Sequence, residues 1–267
     1  MNERNEVLSK WLLKLNYTSN NLIDNIKAFQ RDNNLVVDGI AGPITLRHLS
    51  QKLGPYSLVT TTVDLYNKSG SSFTLRSDAS NYFRDFYKEI KNNGGVVTSA
   101  GSLRALNAPV SVGRSATSLH YLSVAFDLST ISGMVNPETD PYVIELNKDG
   151  YWTVWCRSDK GELRTINNPY TYITYKTGTR KPITDKFINF TEIAKKYGFM
   201  PVKPWSTFFT TGSMMTAEWW HFQNEWCLMP QYSTLGEELQ KVYTRQQLEN
   251  TPPMRFANVI WKVNWFG

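Results

Sequence analysis

At 267 residues the chain has room for one large domain or for a small one joined to a medium one, and 41% apolar against 19% charged side chains is an ordinary globular balance. The net charge of +6 and pI near 9.1 suit an acidic polymer, whether nucleic acid, membrane or bacterial wall. The charge is spread, however: residues 1–53 hold seven Lys/Arg against five Asp/Glu and no basic run occurs, which counts against nucleic acid. No apolar run approaches the roughly 20 residues that span a bilayer, so no stable membrane insertion is expected. Met1–Glu6 has none of the marks of a secretory signal, and synthesis in the cytoplasm is expected. Cys156 and Cys227 form no metal-type pair and read as reduced, buried thiols.

The first fifty residues read as three short helices. Val7, Leu8, Trp11, Leu12 and Leu15 keep helical spacing, as do Leu22, Ile26 and Phe29. In Val37-Asp38-Gly39-Ile40-Ala41-Gly42-Pro43-Ile44-Thr45 the glycines allow a tight turn, and Pro43 suits the first position of a third helix carrying Leu46 and Leu49. Periodicity alone fits a small helical bundle or a helix-turn-helix DNA binder. The string Ala28-Phe29-Gln30-Arg31 followed by Leu35 to Thr45 resembles the repeat of the peptidoglycan-binding domain, a three-helix module. That resemblance implies wall binding by residues 1–53, with bacterial peptidoglycan as partner and no nucleic acid.

Residues 54–71 read as a linker, rich in Gly, Pro, Thr and Ser. A second domain, 72–267, opens with a helix carrying Phe83, Phe86, Tyr87 and Ile90 and stopped by Asn93-Gly94-Gly95. Val96–Thr98, Tyr151–Cys156 and Tyr170–Tyr175 read as strands. Asn189 with Glu192 caps a helix from about Phe190 to Tyr197, and Thr234 with Glu237 caps another running to about Asn250. Val259–Phe266 alternates like a final strand. Helices around a mostly antiparallel sheet make an α+β domain, preceded by the three-helix bundle.

Three histidines exist, and His48 reads as a surface or packing residue of the first domain. His120 lies in Ser118-Leu119-His120-Tyr121-Leu122-Ser123-Val124-Ala125-Phe126-Asp127, and His221 in Ala217-Glu218-Trp219-Trp220-His221-Phe222. Two imidazoles and a carboxylate make a three-ligand set for catalytic zinc, with Glu218 beside it as a general base. Spacing alone leaves the bland alternative open: Asp127 capping a turn and His221 satisfied in a core.

The two segments resemble the Ser-x-His-x-x-Gly-x-Ala-x-Asp and Glu-x-Trp-His signatures of the D-alanyl-D-alanine peptidases, which include VanY-type carboxypeptidases and phage endolysins and share the metal-binding fold of hedgehog domains. The resemblance spans roughly residues 72–225 and departs from the pattern at Ser123, where the family has glycine. It implies Zn2+ held by His120, Asp127 and His221, and Glu218 as base. It also implies an upstream arginine at the oxyanion, Arg104 or, as second choice, Arg114. Ser118 and Trp220 are candidate substrate contacts; Trp205 and Trp219 could wall the cleft or fill the core. Together these imply a monomeric phage-type endolysin, a zinc metallopeptidase made in the host cytoplasm that acts on the wall after release. The rivals are a D,D-carboxypeptidase trimming terminal D-alanine and a non-catalytic wall-binding or phage structural protein.

Overall fold

The computed structural model describes residues 3–67, 70–110, 115, 117–228, 234–251 and 260–261. They fall into two compact units: Met1–Ser57 with Leu106–Pro109 and Leu228–Gly267, and Leu58–Ala105 with Val110–Cys227.

The first unit begins with α1 (Glu3–Lys14), α2 (Leu22–Asp32) and α3 (Pro43–Lys52), where the helical spacing placed them. Asn21 caps α2 by accepting from the Ile23 amide, and Pro43 occupies the first turn of α3, where no backbone donor is needed. Trp11 and Leu12, Ile26 and Phe29, and Leu46 and Leu49 are the buried stripes that face one another. Beneath them lies a buried polar hub. Gln30 Nε2 donates to Asp38 Oδ1 at 2.7 Å, the Ile40 carbonyl at 3.0 Å and Thr45 Oγ1 at 3.1 Å, while Gln30 Oε1 accepts from the Gly39 amide at 2.9 Å. Gly39 has a φ of 75°, the left-handed backbone that glycine adopts without strain.

The second unit is α+β, and its strand ladders are antiparallel. It opens with β1 (Leu58–Thr62) paired to β2 (Ser72–Arg76), so part of the expected linker is a strand. Helix α4 (Ser77–Asn92) buries Phe83, Phe86 and Ile90. There follow β3 (Ala125–Asp127), β4 (Tyr142–Leu146), β5 (Trp152–Ile166), β6 (Ile183–Asn189), α5 (Phe190–Lys196), β7 (Phe199–Pro201), α6 (Phe208–Thr211), α7 (Met214–Ala217) and β8 (His221–Asn224). One sheet was expected; the strands instead form three, ordered β1-β2, β3-β8-β7 and β4-β5-β6. Phe126 of β3 lies 5.1 to 5.9 Å, ring to ring, from Phe73, Phe83, Phe86, Phe199 and Phe222. Each such burial contributes about 2–3 kcal/mol, which makes this cluster the floor on which β3 and β8 rest.

Two expected strands are not strands. Val96–Thr98 bonds to side chains instead of a ladder: the Val97 amide donates to Asp64 Oδ2, the Thr98 amide to the Tyr142 hydroxyl, and that hydroxyl donates to the Val96 carbonyl. Tyr170–Tyr175 turns rather than extends, because the Thr171 hydroxyl takes the amides of Ile173 and Thr174.

From Leu228 onward the described residues group with the N-terminal helices, not with the domain expected over 72–267. The single helix expected to Asn250 is two, α8 (Leu235–Leu239) and α9 (Arg245–Asn250), each opened by its own capping box, at Thr234 and Thr244. Between them the Lys241 carbonyl accepts from the Tyr56 amide at 2.6 Å, and Lys241 Nζ lies 5.6 Å from the Trp11 ring centroid. The same Nζ pairs with the buried Glu238 at 2.9 Å. Apart from Ile260 and Trp261, the strand expected over 259–266 lies outside the described residues.

Candidate metal centre

Strand alternation explains how two polar residues come to stand over an aromatic floor. In the β3–β8 register Phe126 pairs with Phe222 and Asp127 with His221. The phenylalanines turn into the core, and their neighbours turn to the opposite face, side by side across the strands. His120 comes from a 3-10 turn, Leu119–Leu122, just ahead of β3. Ser118 caps that turn by accepting from the His120 amide, so the residue expected to touch substrate holds a ligand's backbone. Ser123 ends the turn with φ 53°, a left-handed conformation that glycine adopts without strain.

Three donor atoms converge. His120 Nε2 lies 3.1 Å from Asp127 Oδ2 and 3.2 Å from His221 Nδ1, which is itself 2.9 Å from Asp127 Oδ1. Among the described residues no other group of three or more His, Cys, Asp or Glu donors is so arranged. Tetrahedral zinc with ligands at about 2.0–2.2 Å spaces its donors about 3.3–3.6 Å apart, so the set fits after an opening of a few tenths of an ångström. The His120 ring is held in the orientation that binding a metal needs. Its Nδ1–H donates to the Ser102 carbonyl at 2.9 Å, leaving the Nε2 lone pair aimed at the cluster. The side chains of His120, Asp127 and His221 keep 9%, 24% and 13% of their surface open, enough for approach from solvent.

The segment Ser99–Arg104 ties the centre together, and nothing in its residue types announced this. The Ala100 amide donates to the Asp127 carbonyl at 2.7 Å, and the Asp127 amide to the Gly101 carbonyl at 2.9 Å. The Arg104 amide donates to the His120 carbonyl at 3.0 Å. Ser102 is pinned in turn, since its hydroxyl takes the Thr74 amide at 2.7 Å and donates to the Thr74 carbonyl at 2.8 Å. The half-buried Arg104 guanidinium lies 5.4 Å from the Tyr121 ring centroid. Arg114 lies outside the described residues.

Glu218 follows α7 with φ 56°, a left-handed backbone that costs a non-glycine residue about 1–2 kcal/mol. Its carbonyl accepts from the His221 amide at 3.1 Å, closing the turn that sets the carboxylate beside the ligands. Burial pushes the Glu218 carboxyl up, and the nearby His221 charge opposes that, as, more weakly, do His120 and Arg104. Burial acts likewise on Asp127, but the two imidazoles outweigh it and hold its carboxyl well below the usual range. In His221 burial disfavours the charged ring, and the Asp127 carboxylate more than compensates, raising it. These opposed shifts within one cluster mark a place organised for charge.

The tryptophans divide by environment. Trp219 is core: its Nε1 donates to the Tyr172 hydroxyl at 2.9 Å, and its ring fills the space a side chain at Gly133 would take. Trp220, expected to touch substrate, is buried edge-on against Trp219 at 5.9 Å. Trp205 is exposed. Both cysteines are free and buried, and burial pushes the Cys156 thiol up to about 12, so it is inert. Among the described residues no helix is long and apolar enough to cross a membrane.

No curated protein and no solved structure matches the chain. Residues 11–49 match the family model described as a putative peptidoglycan binding domain, and the chain therefore carries an N-terminal peptidoglycan-binding domain with peptidoglycan as its partner.

Proposed function

We propose that this chain is a zinc-dependent peptidase of the D-alanyl-D-alanine peptidase type, an endolysin that hydrolyses an amide bond in the peptide part of bacterial peptidoglycan. The observation that carries this reading is the convergence of His120 Nε2, Asp127 and His221 Nδ1 within hydrogen-bonding distance of one another. The wall-binding domain in the same chain supplies the substrate class, since tethering to a polymer raises the local concentration of its bonds.

His120, Asp127 and His221 would hold the ion. When bound, zinc supplies a Lewis acid for the scissile carbonyl and a water made acidic enough to give up a proton near neutrality. With the ion in place Glu218 would accept a proton from the attacking water and hand it to the departing amine; its raised affinity for protons suits a group that must receive one and then release it. Arg104 stabilises the carbonyl oxygen as it becomes negative. The Ser102 carbonyl keeps the His120 ring in the tautomer that binds metal.

The test is a digest of purified peptidoglycan by zinc-loaded protein, with fragments identified by mass. Released peptides bearing new amino and carboxyl ends are expected. Glu218→Gln should retain zinc and lower the rate about 10²–10⁴-fold. Near-normal cleavage by that variant removes Glu218 as the base, near-normal cleavage by chelator-treated protein removes the zinc dependence, and the absence of new peptide ends from wild-type digests removes the peptidase reading.

A further inference from the structure

The loop that delivers Glu218 carries an apolar surface that the proposed chemistry leaves unused. It begins where the Trp205 amide donates to the Thr216 carbonyl at 3.0 Å, two residues before Glu218. Between those points α6 and α7 are pinned from beneath. Phe208 lies 5.6 Å from the Trp152 ring and 6.3 Å from Tyr175; Phe209 lies 6.1 Å from Trp152 and 6.3 Å from Tyr170. Trp152 Nε1 donates to the Ala217 carbonyl at 2.5 Å. A twelve-residue loop with its ends joined and its inner side packed is rigid, and such loops commonly bind.

Its exposed residues are Ser206, Thr207, Thr210, Thr211 and Ser213 together with three large apolar ones. Trp205 is 47% exposed, Met214 37% and Met215 53%. Among the described residues no ring or cation stacks on the Trp205 indole, whereas Trp152, Trp155, Trp219 and Trp220 are all buried. Leaving a large indole and two thioethers in water is unfavourable, and covering them recovers that free energy.

We propose that Trp205, with Met214 and Met215, is a sugar-stacking platform that receives a pyranose ring of the glycan strand next to the peptide being cut. This rests on the peptidase reading above. Of the methyl groups, carboxylates and amines of wall stem peptides none is flat; an ammonium is also drawn to an indole face, but it is present in the sugar-free peptide too, so an equal fall on that substrate marks it. The wall polymer's flat apolar element is the C–H face of its amino sugars, and residues 11–49 tie this chain to that polymer. The backbone bond from Trp205 to Thr216 joins the platform to Glu218, so the platform selects stem peptides still attached to sugar.

The experiment compares full-length wild type, Trp205→Ala and Trp205→Phe on a disaccharide-linked stem peptide and on the same peptide without sugar. Trp205→Ala should lower kcat/KM about tenfold on the sugar-bearing substrate, through KM, and stay within about twofold on the free peptide. Trp205→Phe should recover part of the loss. An equal fall on both substrates, or none on either, overturns the platform. A second readout needs no catalysis: the indole N–H resonance absent from Trp205→Ala should shift when peptide-free disaccharide is added at millimolar concentration. Were neither peptide cleaved, the peptidase reading would fail while this shift still decided the platform; its absence overturns it.

Discussion

Each unit buries a polar cluster, and the two clusters are built to opposite ends. In the wall-binding unit Gln30 gives its amide hydrogens to Asp38, Ile40 and Thr45 and takes the Gly39 amide, so both ends of its side chain are engaged within the chain. In the other unit three donor atoms point at one another, Glu218 sits on a strained backbone, and its carboxyl is raised. A closed network fixes a fold; an open one, its donor atoms within reach of solvent and a raised carboxyl beside them, is suited to something that arrives. The difference also explains why the wall-binding signature is a string of neighbours while the metal signature is two fragments about a hundred residues apart.

The sharpest way to break this contrast is to remove one member of the open cluster. His221→Ala should lower zinc affinity by about three orders of magnitude or more, read by chelator competition, and should also destabilise the metal-free protein, because Asp127 loses one of the two imidazoles that hold it ionised. Unchanged zinc content would mean that the cluster is closed after all. In the other unit Gln30→Ala should cost about 1–3 kcal/mol in denaturant melts, because the buried Thr45 hydroxyl and the Gly39 amide lose their partner, with zinc binding untouched. A silent Gln30→Ala would remove the structural half of the comparison.

Smaller changes refine it. Ser102→Ala frees the Thr74 backbone and loosens the carbonyl that orients His120, and should weaken zinc binding about tenfold. Ser102→Thr, which keeps the hydroxyl, should restore it; a drop in melting temperature with unchanged zinc affinity would make Ser102 merely structural. Ser123→Gly should stabilise the unit by about 1 kcal/mol in thermal melts. It relieves the left-handed backbone and removes a buried hydroxyl that has no hydrogen-bond partner among the described residues. A destabilised Ser123→Gly would show that the hydroxyl serves the centre.

What could be read from the residues follows from how each feature is encoded. The three N-terminal helices lie where their apolar stripes recur, and histidine is rare enough that His120 and His221 stood out beside Asp127 and Glu218. The Ser99–Arg104 hub works through backbone carbonyls and amides, which every residue carries, so Ser102 gave no signal. Val96–Thr98 has strand composition, yet Asp64 and Tyr142, distant in sequence, took its backbone bonds. Ser118 caps the His120 turn, a role that looks identical in sequence to a substrate contact.

The return of α8 and α9 to the N-terminal helices has a consequence for taking the molecule apart. With Lys241 near Trp11 and its carbonyl on the Tyr56 amide, the unit that holds the wall-binding helices is built from both ends of the chain, while residues 58–105 and 110–227 make up the other. A cut after residue 53 therefore does not excise a module; it separates Trp11 from the lysine that covers it. Moving the N-terminal helices without residues 234–251 takes away the Lys241 carbonyl that accepts from the Tyr56 amide, so the first unit is left with an open end that the sequence order conceals.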